Sequence, residues 1–271
     1  MHFMIPSPYR CTAGHHALIL LMALLLWIGQ ASPLAAADRL SVLVYHHLED
    51  PAKSEVSCTP DQFAAHLEAL LKAGFHPLNL SETHAFLMGW RPNLKNPVLI
   101  TFDDGYESLY HHALPIARRL HVPMVVFVVT SRLGLQPQFS RYLSAHQIKE
   151  MADSGFFEFG SHTHDLHTDI MRIYRSFSAT PNPTEALMVD DLRDSRMTLT
   201  EILGTPPRAI AWPYGKFNNA LRRIAQDQGF RLHFTSISGY NEPGVNPFSI
   251  KRVPITNRDT ALHVLRKARG K

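Results

Sequence analysis

Residues 101–106 read Thr-Phe-Asp-Asp-Gly-Tyr and follow the short apolar run Pro97-Val98-Leu99-Ile100. A run of this length, β-branched at Val98 and Ile100, predicts a buried strand. Two adjacent carboxylates at its carboxyl end, Asp103 and Asp104, cannot both stay ionised without a cation, a hydrogen-bond network or a shared proton. Adjacent residues on a strand point to opposite sides, so the pair can divide two jobs. One carboxylate can hold a metal while the other takes a proton.

Three more clusters carry side chains able to do chemistry. The first is Gly160-Ser161-His162-Thr163-His164-Asp165-Leu166-His167, directly after the strand-like Phe156–Phe159. His162 and His167 are five apart and share no helix face, but a strand end followed by a turn can bring both imidazoles onto one ion. His162 with His164 is the rival pair, since i and i+2 lie on the same side of a strand. The other two clusters are Ala211-Trp212-Pro213-Tyr214-Gly215 and Tyr45-His46-His47. Singly they read as a polar loop, a turn and a structural histidine pair, and the aspartates as a helix cap. Four such clusters on successive strand ends make those plain readings jointly improbable.

The elements that must position these residues alternate along the chain. Strand signals fall at Leu40–Tyr45, Phe75–Leu78, the run ending at Asp103, Pro123–Val129, Phe156–Ser161, Ile210–Trp212, Phe230–Thr235 and Phe248–Val253. Helices open at the capping boxes Thr59-Pro60-Asp61-Gln62 and Ser144-x-x-Gln147, and further helical patterns start at Ser81 and cover Tyr106–Leu120, Thr184–Leu203, Phe217–Gln228 and Thr260–Ala268. Asp169–Pro183 reads as a loop with little periodicity. Seven or eight βα repeats suit an α/β barrel or a doubly wound sheet, and in both the carboxyl ends of the strands converge on one face.

Composition sets the outer bounds. Of the 271 residues 45% are apolar and 18% charged, which supports a sizeable core and argues against disorder. The positive residues behind the net charge of +4 are scattered, so no nucleic-acid partner is expected. Seventeen histidines raise the expectation of a metal site. At the N-terminus Arg10 is the sole Asp, Glu, Lys or Arg before Asp38, Ala17–Ile28 is an unbroken apolar run, and Ala35-Ala36-Ala37 matches an Ala-x-Ala cleavage site. Residues 1–37 are therefore read as a signal peptide, with an uncleaved anchor as the alternative, and 38–271 as a single domain. The expected location is the periplasm or the cell exterior. Cleavage leaves Cys58 alone, so neither an internal disulfide nor a thiolate zinc site is expected.

On Thr101–Tyr106, on Ser161-His162-Thr163 followed by His167, and on Trp212-Pro213-Tyr214-Gly215, the chain resembles the polysaccharide deacetylases with a NodB-like domain, carbohydrate esterase family 4. The resemblance covers essentially the whole chain after residue 37. It implies an α/β fold, a distorted (β/α) barrel of about seven strands. Tyr45-His46 and the five-residue histidine spacing are most similar to the branch that deacetylates poly-β-1,6-N-acetylglucosamine in biofilms.

Residue by residue, the resemblance implies that Asp104, His162 and His167 bind one divalent metal, Zn2+ first, with Co2+, Ni2+ and Fe2+ suiting the same ligands. Asp103 would be the general base, and the metal and the backbone N–H of Tyr214 would stabilise the oxyanion. The family's late Leu-x-Leu-x-His-like motif, which supplies the general acid, has no match in Ile250-Lys251-Arg252-Val253-Pro254-Ile255. The biofilm branch looks circularly permuted and carries that histidine on its first strand, where His46 matches, with His47 as the fallback. Much of the family orients the base with an arginine four residues before the third motif's glycine; here that place is Ala211, and Arg208 does not align with it. Tyr106, Trp212, Tyr214 and the loop Asp169–Pro183 are candidates for faces that meet sugar rings.

The resulting expectation is a metal-dependent N-deacetylase acting on an exported N-acetylglucosamine polymer, with peripheral membrane or export-machinery association and an open oligomeric state. A peptidoglycan or chitooligosaccharide deacetylase, or an inactive metal-loaded carbohydrate-binding protein, are the alternatives.

Overall fold

The strands are β1 (Ser41–Tyr45), β2 (His47–Leu48), β3 (Ser57–Cys58), β4 (His76–Pro77), β5 (Pro97–Phe102), β6 (Met124–Val128), β7 (Phe157–Ser161), β8 (Ala209–Ala211), β9 (Leu232–Ser238) and β10 (Ile250–Pro254). They come from a computed structural model that describes Met1 and residues 39–91, 93–137, 140–176 and 185–270. All belong to the unit Ala37–Lys271. The expected signal segment, beyond Met1, lies outside the described residues.

Seven strands close into a parallel ring in the order β1-β10-β9-β8-β7-β6-β5. The ring is shut by β5 against β1, in register from Ser41↔Val98 to Tyr45↔Phe102. That closure decides between the two architectures the βα repeats allowed: the sheet is a barrel. β4 adds to the start of β5, and β2 pairs with β3 in a separate small sheet just beyond β1 that periodicity did not signal.

Alternation along each strand sorts the apolar residues into two layers. Val42, Leu99, Val125, Phe127, Ala209, Ala211, Leu232, Phe234 and Ile250 pack together inside the ring, with Leu78, Phe86 and Leu87 against them. The opposite parity, including Leu43, Tyr45, Ile100, Phe102, Val126 and Phe159, packs under the surrounding helices. Ile210 and Trp212 lie in a third cluster with residues of Ile170–Ser176, Glu185–Leu203 and Asn219–Asp227. Burial on both faces is why the strands read as near-continuous apolar runs. The helices start where the capping signals put them: Pro60–Lys72 behind a Thr59–Gln62 capping box and Ala145–Asp153 behind Ser144–Gln147.

Two expected elements differ. The helix expected over Tyr106–Leu120 is a π-turn, Leu109–Ala113, followed by an α-helix, Leu114–Leu120. Pro115 has no N–H to donate into an α-helical ladder, and the wider turn ahead of it accommodates the loss. Within the expected loop Asp169–Pro183, Ile170–Ser176 is helical and buries Ile170 and Ile173, while residues 177–184 lie outside the described residues.

One glycine shows how tightly the ring is filled. A Cβ at Gly160 would stand 2.6 Å from the Phe127 ring and 2.8 Å from the Ala209 carbonyl oxygen. Gly160→Ala is therefore expected to lower stability by about 1–3 kcal/mol through overpacking, read as a shifted midpoint in urea; an unchanged midpoint would contradict this packing.

A buried titratable group gives the fold a pH dependence. His233 is fully buried on β9 with the rings of Trp212 and Phe248 edge-on at 5.8 and 5.0 Å. Burial, reinforced by the charges of Arg222 and Arg231, pushes its pKa down to about 4. The folded value lies below the unfolded value of about 6.5, so this stabilisation is full above that pH and is lost as pH falls towards 4. At pH 5 the loss should be about 2 kcal/mol, and His233→Phe should remove that part of the acid sensitivity in parallel unfolding curves at pH 7 and pH 5. Equal acid sensitivity in the two proteins would contradict it.

Candidate metal and catalytic site

Every chemical cluster sits at the carboxyl end of a barrel strand. His46 follows β1, Asp103 and Asp104 follow β5, His162 follows β7, and Trp212-Pro213-Tyr214 follows β8. The aspartates do not diverge by strand alternation, because β5 ends at Phe102. They diverge because Asp104 turns into the left-handed region, φ 70°. Gly105 continues the turn at φ 79°, where a Cβ would lie 2.6 Å from Val128 Cγ1. A non-glycine left-handed residue costs energy and persists where its surroundings fix it. Here three site residues share it: Asp104, Thr163 at φ 72° and Tyr214 at φ 54°.

Asp103 points into the barrel mouth, 4% exposed. Its N–H donates to the Tyr45 carbonyl (3.0 Å). Its carboxylate accepts two parallel bonds from Arg252: Nη1 to Oδ1 and Nη2 to Oδ2, each 2.7 Å. Arg252 is 2% exposed, and its Nε donates to the Thr235 carbonyl (2.8 Å). Burial alone would raise the Asp103 carboxyl, but Arg252 and, behind it, His162 outweigh that and hold it below the usual carboxylate range. Arg252 thus brings to Asp103 the guanidinium that Ala211 cannot. It reaches Asp103 because the pairing of β10 with β9 slips between Ile250↔Phe234 and Arg252↔Ser238, an irregularity that re-aims the strand end.

Asp104 faces the two histidines. Its Oδ1 is 3.3 Å from His167 Nε2 and 3.7 Å from His162 Nε2. The imidazoles lie edge-on with centroids 4.9 Å apart. Nδ1 of His162 donates to the Ala211 carbonyl (2.7 Å), so Nε2 keeps its lone pair and faces Asp104. Burial lowers the His162 pKa despite Asp103 and Asp104 nearby, which keeps the ring neutral. The Asp104 carboxyl is held far below its ordinary range, burial being outweighed by His167 and His162.

One donor atom from each of Asp104, His162 and His167 lies within 4.8 Å of the others, the one such group among the described residues. Two imidazoles and a carboxylate are the ligand set of a catalytic divalent-metal site that keeps positions open. Buried Nδ1 of His167 lacks a hydrogen-bond partner among the described residues. The fit to a divalent ion rests on the other ring nitrogen: Nε2 of both histidines converges on the Asp104 carboxylate.

His164, the rival partner of His162, is turned away: its Nδ1 lies 2.9 Å from Thr130 Oγ1. The left-handed backbone at Thr163 breaks the i, i+2 alternation that the rival pairing needed. His46 and His47 separate as well. His46 lies close enough to Asp103 and Asp104 to lower both, and its buried Nδ1 has no partner among the described residues. His47 Nε2 is 2.6 Å from Ser140 Oγ, and its ring stands edge-on to Tyr106 at 4.8 Å.

The aromatic candidates divide too. Trp212 is fully buried in the core and cannot meet a sugar, because Ile210 and Trp212 belong to the helix-facing layer. Tyr106 stacks on Tyr142 at 5.1 Å. Tyr214 is 57% exposed with its ring 5.4 Å from His167. Its turn is closed by Gly215 N–H donating to the Trp212 carbonyl (2.8 Å), and a Cβ on Gly215 would stand 2.5 Å from the Ser236 nitrogen.

Arg252 is not found by matching Ile250–Ile255 to a histidine motif, since that motif asks for a different residue type. The available signal was an arginine on the apolar parity of the last strand, two residues after Ile250 and next to Val253, with Lys251 on the other face. Arg252→Ala strands a buried carboxylate and is expected to cost about 3–5 kcal/mol, part of which the double variant Asp103→Asn, Arg252→Met should recover. Urea unfolding reads both, and a single variant as stable as the parent would contradict the buried pair.

The model for the polysaccharide deacetylase family matches residues 91–233. The chain is 30% identical over 178 residues to the poly-β-1,6-N-acetyl-D-glucosamine N-deacetylase of Staphylococcus aureus strain N315, 65% of this chain and 60% of that protein. It is 28% identical over 164 residues to the Staphylococcus epidermidis protein of the same name. The chain thus spans about 60% of the length of the curated relatives it matches. Among solved structures, IcaB from Ammonifex degensii is 32% identical with a TM-score of 0.75, covering 86% of this chain and 97% of that one. The BpsB deacetylase domain from Bordetella bronchiseptica is 28% identical with a TM-score of 0.66, covering 80% and 96%. With its motifs gathered on strand ends at one mouth of the closed barrel, the chain belongs to the polysaccharide deacetylase family.

Proposed function

We propose that this protein removes N-acetyl groups from N-acetylglucosamine residues of poly-β-1,6-N-acetylglucosamine, using one divalent metal held by Asp104, His162 and His167. The observation that carries the reading is the meeting of that donor set with a separately held carboxylate, Asp103 on Arg252. The relatives named above supply the polymer. Export is part of the proposal and rests on the signal-like N-terminus. No helix among the described residues is long and apolar enough to cross a membrane.

A bound divalent ion, Zn2+ in the first instance, supplies a Lewis acid for the acetamide carbonyl and makes nearby water a better nucleophile. The residues do the rest. Asp103, kept ionised and aimed by Arg252, takes the proton of the attacking water. The Tyr214 backbone N–H donates to the oxygen that gains charge. His46, on the same side as the two carboxylates, gives the leaving amine its proton. Exposed Tyr214 offers its ring to a sugar face. The product is a polymer with amines that are cationic at neutral pH.

Amine release from poly-β-1,6-N-acetylglucosamine oligomers should be abolished by a chelator and restored by Zn2+ or Co2+. Asp103→Asn should lower turnover by about 10²–10⁴-fold with metal content unchanged by elemental analysis. His46→Ala should lower turnover without loss of metal, and His47→Ala much less. Metal-loaded protein that releases no amine from β-1,6-linked, chitin or peptidoglycan substrates would overturn the enzyme reading. Release from the latter two alone would overturn the choice of polymer.

A further inference from the structure

The turn that carries His162 and His167 is gripped from behind by the helix Glu185–Leu203. Asp191 on that helix is 6% exposed and accepts three consecutive backbone N–H groups. Those of His164 (2.8 Å, Oδ1), Asp165 (2.7 Å, Oδ2) and Leu166 (2.9 Å, Oδ2) all end on its carboxylate. One helical turn later, Ser195 Oγ lies 2.7 Å from Ser161 Oγ, which also accepts the Thr163 N–H at 3.0 Å. Asp191 and Ser195 are i and i+4, and both lie among the helix's buried residues.

On its other side the turn meets β6's exit, where Thr130 N–H donates to the Thr163 carbonyl (3.2 Å) and Ser131 N–H to the His164 carbonyl (3.1 Å). The helix anchors are what collect the turn's own amide donors. Thr163 is left-handed at φ 72°, and its buried hydroxyl has no partner among the described residues. The next three amides all point towards one acceptor, an arrangement a peptide leaves readily unless an anion collects them. A carboxylate buried at this depth is costly without compensation, and these three donors offset part of that cost, burial still holding the Asp191 carboxyl above its ordinary value.

We infer that Asp191, seconded by Ser195, is a positioning residue that sets the separation and facing of His162 and His167 before any ion arrives. This rests on the proposed ligand set. The Asp191 carboxylate spends its bonds on the three amides between the two histidines. Its effect reaches an ion through the backbone of residues 163–166 and the imidazoles at either end. A role confined to general stability would leave metal affinity unchanged in folded protein.

The test is Co2+ affinity of the full chain, measured by competition with a chromogenic chelator, together with the Co2+ absorption spectrum and amide hydrogen exchange of the metal-free protein. Asp191→Ala should weaken Co2+ binding by about 10-fold or more and change the spectrum. It should also speed exchange at His164, Asp165 and Leu166 while the barrel strands stay protected. Ser195→Ala, a smaller lesion that keeps the protein falsifiable if Asp191→Ala does not fold, should weaken Co2+ binding less than tenfold but measurably. Folded Asp191→Ala or Ser195→Ala that binds Co2+ as the parent does, with the same spectrum, overturns the clamp. A parent protein that binds no Co2+ overturns the ligand set itself, so the two failures are distinguishable.

Discussion

The bidentate pair between Asp103 and Arg252 is the constraint on which the mouth of this barrel depends. Two carboxylates follow one another in sequence, the first buried and the second partly so, and a guanidinium from the last strand compensates the first of them. The left-handed turn at Asp104 then delivers the second to the histidines on the next strand but one. Without the arginine the first carboxyl would be pushed towards protonation by its own burial, and a protonated carboxyl cannot act as a base. The pair also links the end of β5 to β10 past β1, the strand against which β5 closes the ring.

Closure explains why residues so far apart in sequence meet. With all seven strands parallel, every carboxyl end opens onto the same rim, and the tight interior at Gly160 and Phe127 leaves the chemistry nowhere else in the ring to go. Three of the five non-glycine left-handed residues among those described lie on that rim, Asp104, Thr163 and Tyr214, and each is flanked by a glycine or by a side chain that caps the exposed amides. This is the expected distribution when a rigid scaffold holds unfavourable backbone for the sake of a site.

Much of this was legible in the chain. Strand positions followed from apolar runs, helix starts from capping boxes, and the gathering of the chemical clusters on one rim from their places at strand ends. The choice of His167 over His164 beside Asp104 and His162 came from the family resemblance alone. What stayed hidden depended on three-dimensional neighbours. Periodicity could not tell a barrel from an open sheet, because only the pairing of β1 with β5 separates them. Alternation failed at the aspartates and at Thr163, where positive φ overrides it. Trp212 carried a sugar-binding expectation that its layer in the barrel wall excludes. Arg252 could be seen as an arginine in an apolar strand, but its pairing with Asp103 could not, because that contact lies at a slipped register set by neighbouring strands.

The claim that binds these observations is that one divalent ion sits among Asp104, His162 and His167, with His164 outside. X-ray absorption at the zinc edge of protein loaded with one equivalent of Zn2+ reads it most directly. The account predicts two imidazoles and carboxylate oxygen in the parent and in His164→Ala, and a single imidazole in His167→Ala. Two imidazoles retained in His167→Ala but one lost in His164→Ala would contradict it.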